Sequence, residues 1–131
     1  AASDVYKRQV YVWADEFKIE EVVTNYTSNA LNHLDGERKV EIKVLQEEEC
    51  VKVTVFNTGT PIPEEDIPNL WNKFYKVDKA RTREYGGSGI GLSIVEATMK
   101  AHGKDYGVAN VEGGVEFYFD VESADSESVQ C

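Results

Sequence analysis

The apolar residues of this chain change their spacing along the sequence, and this change limits the possible folds more than any other feature. Asp15 stands where the N-cap of a helix is expected, and Asp35-Gly36 is expected to end that helix. Residues 88–102 have the helical period again, and Gly103 is typical of a C-cap. The sequence therefore predicts two helices. The first carries its apolar residues at i, i+3, i+4, i+7 and i+11, namely at Ile19, Val22, Val23, Tyr26 and Ala30.

Elsewhere the apolar residues alternate with polar ones or form short runs, as they do in strands. The acidic residues 46–49 and the pair Gly113-Gly114 predict the turns of two hairpins. Helices segregated onto one face of the sheet fit this order of elements, so the predicted class is α+β. We expect a two-layer α/β sandwich with a mixed, mostly antiparallel sheet. The predicted strands cover residues 10–13, 39–45, 51–55, 106–110 and 115–121.

Composition fits one folded domain and excludes several classes of protein. The 131 residues are 41% apolar and 11% aromatic, which argues against disorder. No apolar run reaches the roughly 18 residues of a membrane span. The net charge of −10 argues against nucleic acid as a general partner. We expect residues 1–9 to be an unstructured leader, residues 10–122 to form the domain and residues 123–131 to form a disordered tail. Because the only methionine is Met99, we also expect a fragment.

Three asparagines form an amide stripe on the first predicted helix. Asn25, Asn29 and Asn32 are spaced i, i+4 and i+7, so at about 100° per residue they lie within about 60° of one another. The stripe borders the apolar face and is expected at the edge of the core. An ordinary polar helix face is the alternative for any one of them, but asparagine gains nothing there over better helix formers. Neutral carboxamide oxygens suit Mg²⁺ when substrate phosphates balance its charge.

A glycine cluster, Gly-Gly-Ser-Gly-Ile-Gly-Leu at residues 86–92, leads into the second predicted helix. Glycines let backbone N–H groups approach an anion, and the helix N-terminus adds partial positive charge, so the cluster indicates a phosphate site. A tight turn with close packing is the alternative. The cluster matches neither the P-loop pattern nor a dinucleotide-binding fingerprint.

A third segment, residues 57–63, carries a polar side chain and a glycine at the end of a strand. Asn57 there can present its amide to a flat polar ring, although a simple turn is the alternative. Residues 69–78 form a short aromatic segment that is compatible with a helix, and the basic residues 79–87 have the composition of a mobile lid.

Taken in order, these segments resemble the ATP-binding domain of sensor histidine kinases, a branch of the Bergerat-fold family. The resemblance covers residues 11–121. Its motifs are an asparagine box (residues 25–34), a first glycine box (57–63), a phenylalanine box (73–78), a second glycine box (86–92) and a terminal glycine pair (113–114).

The resemblance implies a histidine kinase that uses ATP and Mg²⁺. Asn29 would coordinate Mg²⁺, Asn25 would lie near the phosphates, and Asn57 would meet the exocyclic amine of adenine. Lys76 or Arg81, in a lid at residues 69–86, would reach the γ-phosphate and act with Asn25 in catalysis. The implied ATP contacts are Asn25, Asn29, Asn32, His33, Asn57, Gly59, Ile62, Lys76, Arg81, Gly87, Ser88, Gly89, Ile90, Gly91 and Leu92.

The resemblance also implies partners. The γ-phosphoryl group would go to a histidine on a helical dimerisation domain, and a response regulator would act downstream. The domain would be the cytoplasmic part of a membrane-anchored sensor, with no contact to the membrane or to nucleic acid. His33 and His102 are the only histidines, and neither precedes the acidic residue that usually follows the acceptor, so we expect the acceptor outside this chain.

Five positions depart from the family pattern. Asn57 replaces the usual Asp, which removes charge assistance and weakens the adenine contact by ~1 kcal/mol. Pro61 replaces a common glycine, Asn32-His33 replaces a frequent Lys-Tyr, and Lys76 replaces a frequent Arg. These changes leave open a non-catalytic nucleotide-sensing or protein-interaction module on the same fold.

Hydrolytic relatives and serine kinases of this fold carry a Glu four residues before the metal-binding Asn. Here that position is Asn25, and an amide does not accept a proton at neutral pH. Hydrolysis by that route is therefore disfavoured. Phosphoryl transfer to a histidine is less affected by the missing Glu, because a neutral imidazole is already a nucleophile.

Overall fold

The computed structural model describes residues 11–47, 49–73 and 91–124, which form two α-helices and five strands. Residues 67–69 add one turn of 3₁₀-helix between the third strand and the second helix. In chain order the elements are β1 (Val12–Trp13), α1 (Glu16–Asn32), β2 (Val40–Gln46), β3 (Cys50–Thr58), α2 (Gly91–His102), β4 (Tyr106–Val111) and β5 (Gly114–Ser123).

Both predicted helices are confirmed over the described residues, and so are two of the residues expected to bound them, Asp15 and Gly103. The carboxylate of Asp15 caps α1 by accepting a hydrogen bond of 3.1 Å from the Lys18 N–H. Gly103 follows α2 with φ +67°, a left-handed conformation that favours glycine, and its N–H donates to the Lys100 carbonyl. α1 ends at Asn32, slightly before the predicted Asp35-Gly36.

The sheet is built around β5, which pairs with β3 along one edge and with β4 and β1 along the other. β2 pairs with β3 and forms an edge of the sheet. All pairings among the described residues are antiparallel, so the expected mixed character is not seen there. The second hairpin is confirmed, but its turn is Glu112-Gly113, because Gly114 already pairs with Val111.

The core lies between the two helices and one face of the sheet. Tyr26 lies fully buried at its centre, with its ring centroid 5.1 Å from that of Phe117 and 6.0 Å from that of Phe119. Its hydroxyl donates to the Tyr118 carbonyl at 3.0 Å. Burial of each large apolar side chain contributes about 1.5 to 3 kcal/mol. The buried apolar residues are Val22, Tyr26, Ala30, Val51, Val55, Leu70, Val95, Met99, Val115, Phe117, Phe119 and Val121.

The helices do not cover the whole sheet. Ile42 and Val44 of β2 lie on the same face as the core residues, because they pair with Val55 and Val53. They are nevertheless 49% and 52% exposed, since β2 is an edge strand and α1 packs on β3. The predicted two-layer α/β sandwich with helices on one face is confirmed. The expected leader 1–9 and residues 125–131 of the expected tail lie outside the described residues.

Candidate functional site

The predicted motifs meet at one end of the sandwich because of the strand register. Asn57, near the end of β3, pairs with Val40 on one side and with Val115 on the other. Thr58 pairs with Gly114, which in turn pairs with Val111 at the end of β4. The end of β3, the start of β2 and the β4–β5 turn therefore share one end of the sheet. We call this the site end.

The segment that follows α1 is hydrogen-bonded to the site end. The Asp35 N–H donates to the Thr58 carbonyl at 3.1 Å, and the Lys39 N–H donates to the Thr58 hydroxyl at 2.8 Å. A Cβ on Gly59 would lie 2.9 Å from the His33 carbonyl oxygen and 3.3 Å from Asn57 Nδ2, and Gly59 has φ +158°. Only glycine allows this approach, which joins the asparagine box to the first glycine box.

The N-terminal end of α2 reaches the asparagine box at another point. A Cβ on Gly91 would lie 2.9 Å from Asn25 Oδ1, which is closer than real Cβ atoms come to a neighbour. The missing side chain of Gly91 thus leaves room for the Asn25 amide. Asn25 is half-buried in α1 and Gly91 begins α2, so this contact joins the asparagine box to the last glycine of the second glycine box.

The amide stripe of α1 is not uniformly placed at the edge of the core. Asn25 and Asn29 are half-buried, as expected, but Asn32 is exposed because it is the last residue of the helix. His33 is half-buried and caps α1, and its N–H donates to the Asn29 carbonyl at 3.1 Å. Two of the three amides therefore border the core where a ligand would be partly shielded from water.

Asn57 is the most deeply buried of the predicted site residues among those described, with an exposure of 2%. Its Nδ2 donates to the Thr58 carbonyl at 3.1 Å. This bond fixes the orientation of the amide, so that Oδ1 is left as its acceptor atom. An exocyclic amine is the kind of group that such an acceptor can bind. Contrary to the prediction, Asn57 lies within β3 rather than after it.

Asn110 was missed in the sequence, although an asparagine in a strand-like run is unusual. It lies on β4, and its side chain bonds to both backbone groups of Ile62. Ile62 is half-buried and packs against the core, and so does Leu92. The loop that contains Ile62 is thus attached to the sheet.

The segment after this loop packs onto the sheet through aromatic contacts. The Trp71 ring lies edge-on to Tyr106, with 4.9 Å between centroids, and Leu70 is buried. The Tyr106 hydroxyl donates to Glu96 Oε2 at 2.7 Å. Burial, together with this bond and the charge of Glu96, raises the pKa of Tyr106 to about 12, so the phenol remains a donor at neutral pH.

His102 has a structural contact at each ring nitrogen. Its Nε2 accepts a hydrogen bond of 3.2 Å from the Asp15 N–H, and its Nδ1 lies 2.9 Å from the Thr98 carbonyl. Nδ1 is therefore the protonated nitrogen that donates. His102 thereby joins the end of α2 to the start of α1.

Several predicted site residues lie outside the described residues, namely Lys76, Arg81, Gly87, Ser88, Gly89 and Ile90. The same holds for residues 74–86 of the expected lid and for most of the phenylalanine box. The predicted site residues that are described therefore supply amides, the His33 imidazole, backbone groups and apolar side chains.

The donors at the site end fit a magnesium ion that is shared with phosphates. Within residues 11–47, 49–73 and 91–124, no group of three or more His, Cys, Asp and Glu could hold a metal ion. An ion beside Asn25 and Asn29 would therefore need most of its oxygen ligands from a substrate and water, which is how Mg²⁺ is commonly bound with nucleotides.

The chain matches a protein family described as histidine kinase-, DNA gyrase B- and HSP90-like ATPases, over residues 14–125. It is 41% identical over 108 residues to the sensor histidine kinase WalK of Bacillus subtilis. That match covers 81% of this chain and 18% of the relative, so the chain spans about a fifth of its length. No described helix has the length and apolar character of a membrane span.

Solved structures show the same likeness. The catalytic domain of histidine kinase ThkA is similar with a TM-score of 0.74 at 31% identity, covering 85% of this chain and 70% of that one. A structure of ThkA in complex with the response regulator protein TrrA is similar with a TM-score of 0.67 at 29% identity. That match covers 86% of this chain and 30% of ThkA.

Proposed function

Since the chain belongs to the family of histidine kinase-, DNA gyrase B- and HSP90-like ATPases, we propose that its site end binds ATP with Mg²⁺ and presents the γ-phosphate to a histidine. Within the family it is a catalytic domain of the sensor histidine kinase type, the enzyme class of two-component signalling.

The contacts of Gly59 and Gly91 are the observation that carries this proposal. Each glycine lies where a Cβ would approach a neighbouring oxygen to 2.9 Å, and each contact joins the asparagine box to one of the glycine boxes. The two contacts bring motifs that are far apart in the sequence together around one part of α1. Nucleotide is the ligand that matches amides at one side and glycine-rich backbone at the other.

In this proposal Asn57 recognises the base. Its Oδ1 accepts from the exocyclic amine of adenine, while the bond from its Nδ2 to the Thr58 carbonyl keeps the amide in that orientation. Asn29 holds Mg²⁺ and Asn25 lies beside the phosphates. Bound Mg²⁺ would neutralise charge that develops on the phosphates.

Asn25 also decides which reaction is favoured. An amide at this position cannot act as the general base that activates water or a serine hydroxyl. The described residues therefore contribute by positioning the nucleotide and by neutral hydrogen bonding. A neutral imidazole needs no such base, so a histidine is the acceptor that this site serves best.

The remaining parts of the proposal concern residues and partners beyond the described chain. Lys76 and Arg81 would bring positive charge to the γ-phosphate in a protein whose net charge is −10. A helical dimerisation domain would supply the histidine, and a response regulator would receive the phosphoryl group. The domain would lie on the cytoplasmic side of a membrane-anchored sensor.

Asn29→Ala tests the metal assignment. Calorimetric titration with a non-hydrolysable ATP analogue, with and without Mg²⁺, should show that the variant loses the Mg²⁺-dependent part of the affinity. Ser28→Ala is the matched control, because Ser28 is the exposed neighbour on the same helix. This control should bind as the wild type does.

An Asn29→Ala variant that keeps full Mg²⁺-dependent affinity would refute the metal assignment. If the wild-type chain binds no nucleotide under either condition, the non-catalytic interaction module becomes the better account. Measurable ATP turnover by the isolated chain would instead favour a hydrolysing ATPase.

A further inference from the structure

Asn110 makes a paired set of hydrogen bonds with one residue of the first glycine box. Its Oδ1 accepts from the Ile62 N–H at 2.8 Å, and its Nδ2 donates to the Ile62 carbonyl at 2.8 Å. Nδ2 also lies 3.3 Å from Glu64 Oε2. The side-chain amide thus binds Ile62 as a neighbouring strand would, although the loop is not part of the sheet.

The sequence of the loop makes this pairing important. Ile62 stands between Pro61 and Pro63, and proline has no backbone N–H. The Ile62 N–H is therefore the only backbone donor in these three residues, and Asn110 accepts from it. Ile62 is thus the one residue of these three that can exchange both backbone hydrogen bonds with a neighbouring group.

The β4–β5 hairpin holds the same loop at a second point. The Gly59 N–H donates to the Gly113 carbonyl at 3.3 Å, in the turn of that hairpin. The loop is thus fixed to the hairpin at both ends of residues 59–62. Its start lies directly after Asn57, whose buried amide is the proposed base-binding group.

We propose that Asn110 is a positioning residue for nucleotide binding, which acts through Ile62 by holding the first glycine box in its binding conformation. This inference rests on the proposed function of the site end. Ordering a loop on binding lowers affinity, and a loop that is already ordered avoids this loss. Asn110 does not touch the nucleotide in this account. Its effect is to keep Ile62 and the residues before it in place when the site is empty.

Asn110→Ala removes both hydrogen bonds to Ile62 and introduces no new polar group into β4. Titration with a non-hydrolysable ATP analogue in the presence of Mg²⁺ should give a Kd raised roughly tenfold, the effect of one to two lost hydrogen bonds. Hydrogen exchange of the Ile62 amide should accelerate in the free protein and slow again when nucleotide is bound.

Gln46→Ala is the matched control for a general loss of stability. Gln46 Nε2 donates to Ser123 Oγ at 3.4 Å at the opposite end of β3 from the site end. This variant also removes a side-chain amide bond between strands, so its thermal unfolding temperature should fall, but its Kd should stay within twofold of the wild type. If Asn110 had only a structural role, Asn110→Ala would likewise lower the unfolding temperature and leave the Kd within twofold of the wild type.

Asn110→Asp keeps the shape of the side chain and decides the question if the alanine variant does not fold. The carboxylate still accepts from the Ile62 N–H but faces the Ile62 carbonyl and Glu64 with negative charge. Its Kd should rise at least as much as that of the alanine variant.

Wild-type affinity in a folded Asn110 variant, or an equal loss in Gln46→Ala, would overturn the inference. Absence of nucleotide binding by the wild type would overturn the proposed function and the inference with it, so the two failures are distinguishable.

Discussion

Replacing Gly91 by alanine should separate stability from nucleotide binding. The new Cβ would lie 2.9 Å from Asn25 Oδ1, and ordinary contact begins at 3.4 Å, so the amide must move by at least about 0.5 Å. The end of a short side chain can make this move cheaply. Alanine is also favoured over glycine in a helix by up to about 1 kcal/mol. The unfolding temperature should therefore stay the same or rise.

Nucleotide binding should respond in the opposite direction. We expect the displaced Asn25 amide to lose a hydrogen bond to the nucleotide, which corresponds to roughly tenfold weaker binding. The assay is titration of Gly91→Ala with a non-hydrolysable ATP analogue in the presence of Mg²⁺, together with thermal unfolding of the same preparation.

A double-mutant cycle with Asn25→Ala makes the reasoning specific. Without the Asn25 amide, the two nearest neighbours of the added Cβ are gone, and the Asn25 Cβ at 3.9 Å makes an ordinary contact. Gly91→Ala should then cause no further loss of affinity in the Asn25→Ala background. Additive losses, or a marked fall in the unfolding temperature of Gly91→Ala alone, would refute the claim that this glycine makes room for the amide.

Three further substitutions test the framework that carries the site. Gly114→Ala should destabilise the protein by about 3 kcal/mol or more in chemical denaturation, because its Cβ would overlap the Asn57 carbonyl. Gly113→Ala should cost only about 1 to 2 kcal/mol, because nothing lies within 4 Å of its Cβ and only its φ of +84° is unfavourable. A larger loss of stability for Gly113→Ala than for Gly114→Ala would contradict the packing. Tyr26→Phe should lose about 1 to 2 kcal/mol, since it leaves a carbonyl of β5 without its buried donor; an unchanged denaturation midpoint would contradict this. Burial raises the pKa of Asp120 above its ordinary value, so its ionisation destabilises the fold as the pH rises through that raised pKa. Asp120→Asn should therefore raise the unfolding temperature at pH 8 and leave it nearly unchanged below about pH 4, and a lower temperature at pH 8 would speak against this origin.

The periodicity of the sequence predicted the elements well because both helices and the central strands bury one face. Asp15 and Gly103 were predicted correctly as caps since their roles depend on local backbone geometry alone. Alternation could not indicate that Ile42 is 49% exposed, because it shows which face of a strand a side chain occupies but not whether a helix covers that face.

The site was predictable where a motif concerns residues close in sequence, and less so where it depends on register. The pairing of Asn110 with Ile62 joins residues 48 apart, and only the position of β4 beside the loop makes it visible. The contact of Gly91 with Asn25 likewise depends on how α2 packs against α1. Composition could not indicate which glycine makes room for a side chain and which one allows a turn.

The most direct test of the account is calorimetric titration of the wild-type chain with non-hydrolysable analogues of ATP and GTP, each with Mg²⁺ and with a chelator. The account predicts one site per chain for the ATP analogue, with higher affinity in Mg²⁺, and much weaker binding of the GTP analogue, whose base offers a carbonyl to Asn57 Oδ1 where adenine offers an amine. Absence of binding, equal affinity for both bases, or affinity that does not depend on Mg²⁺ would contradict it.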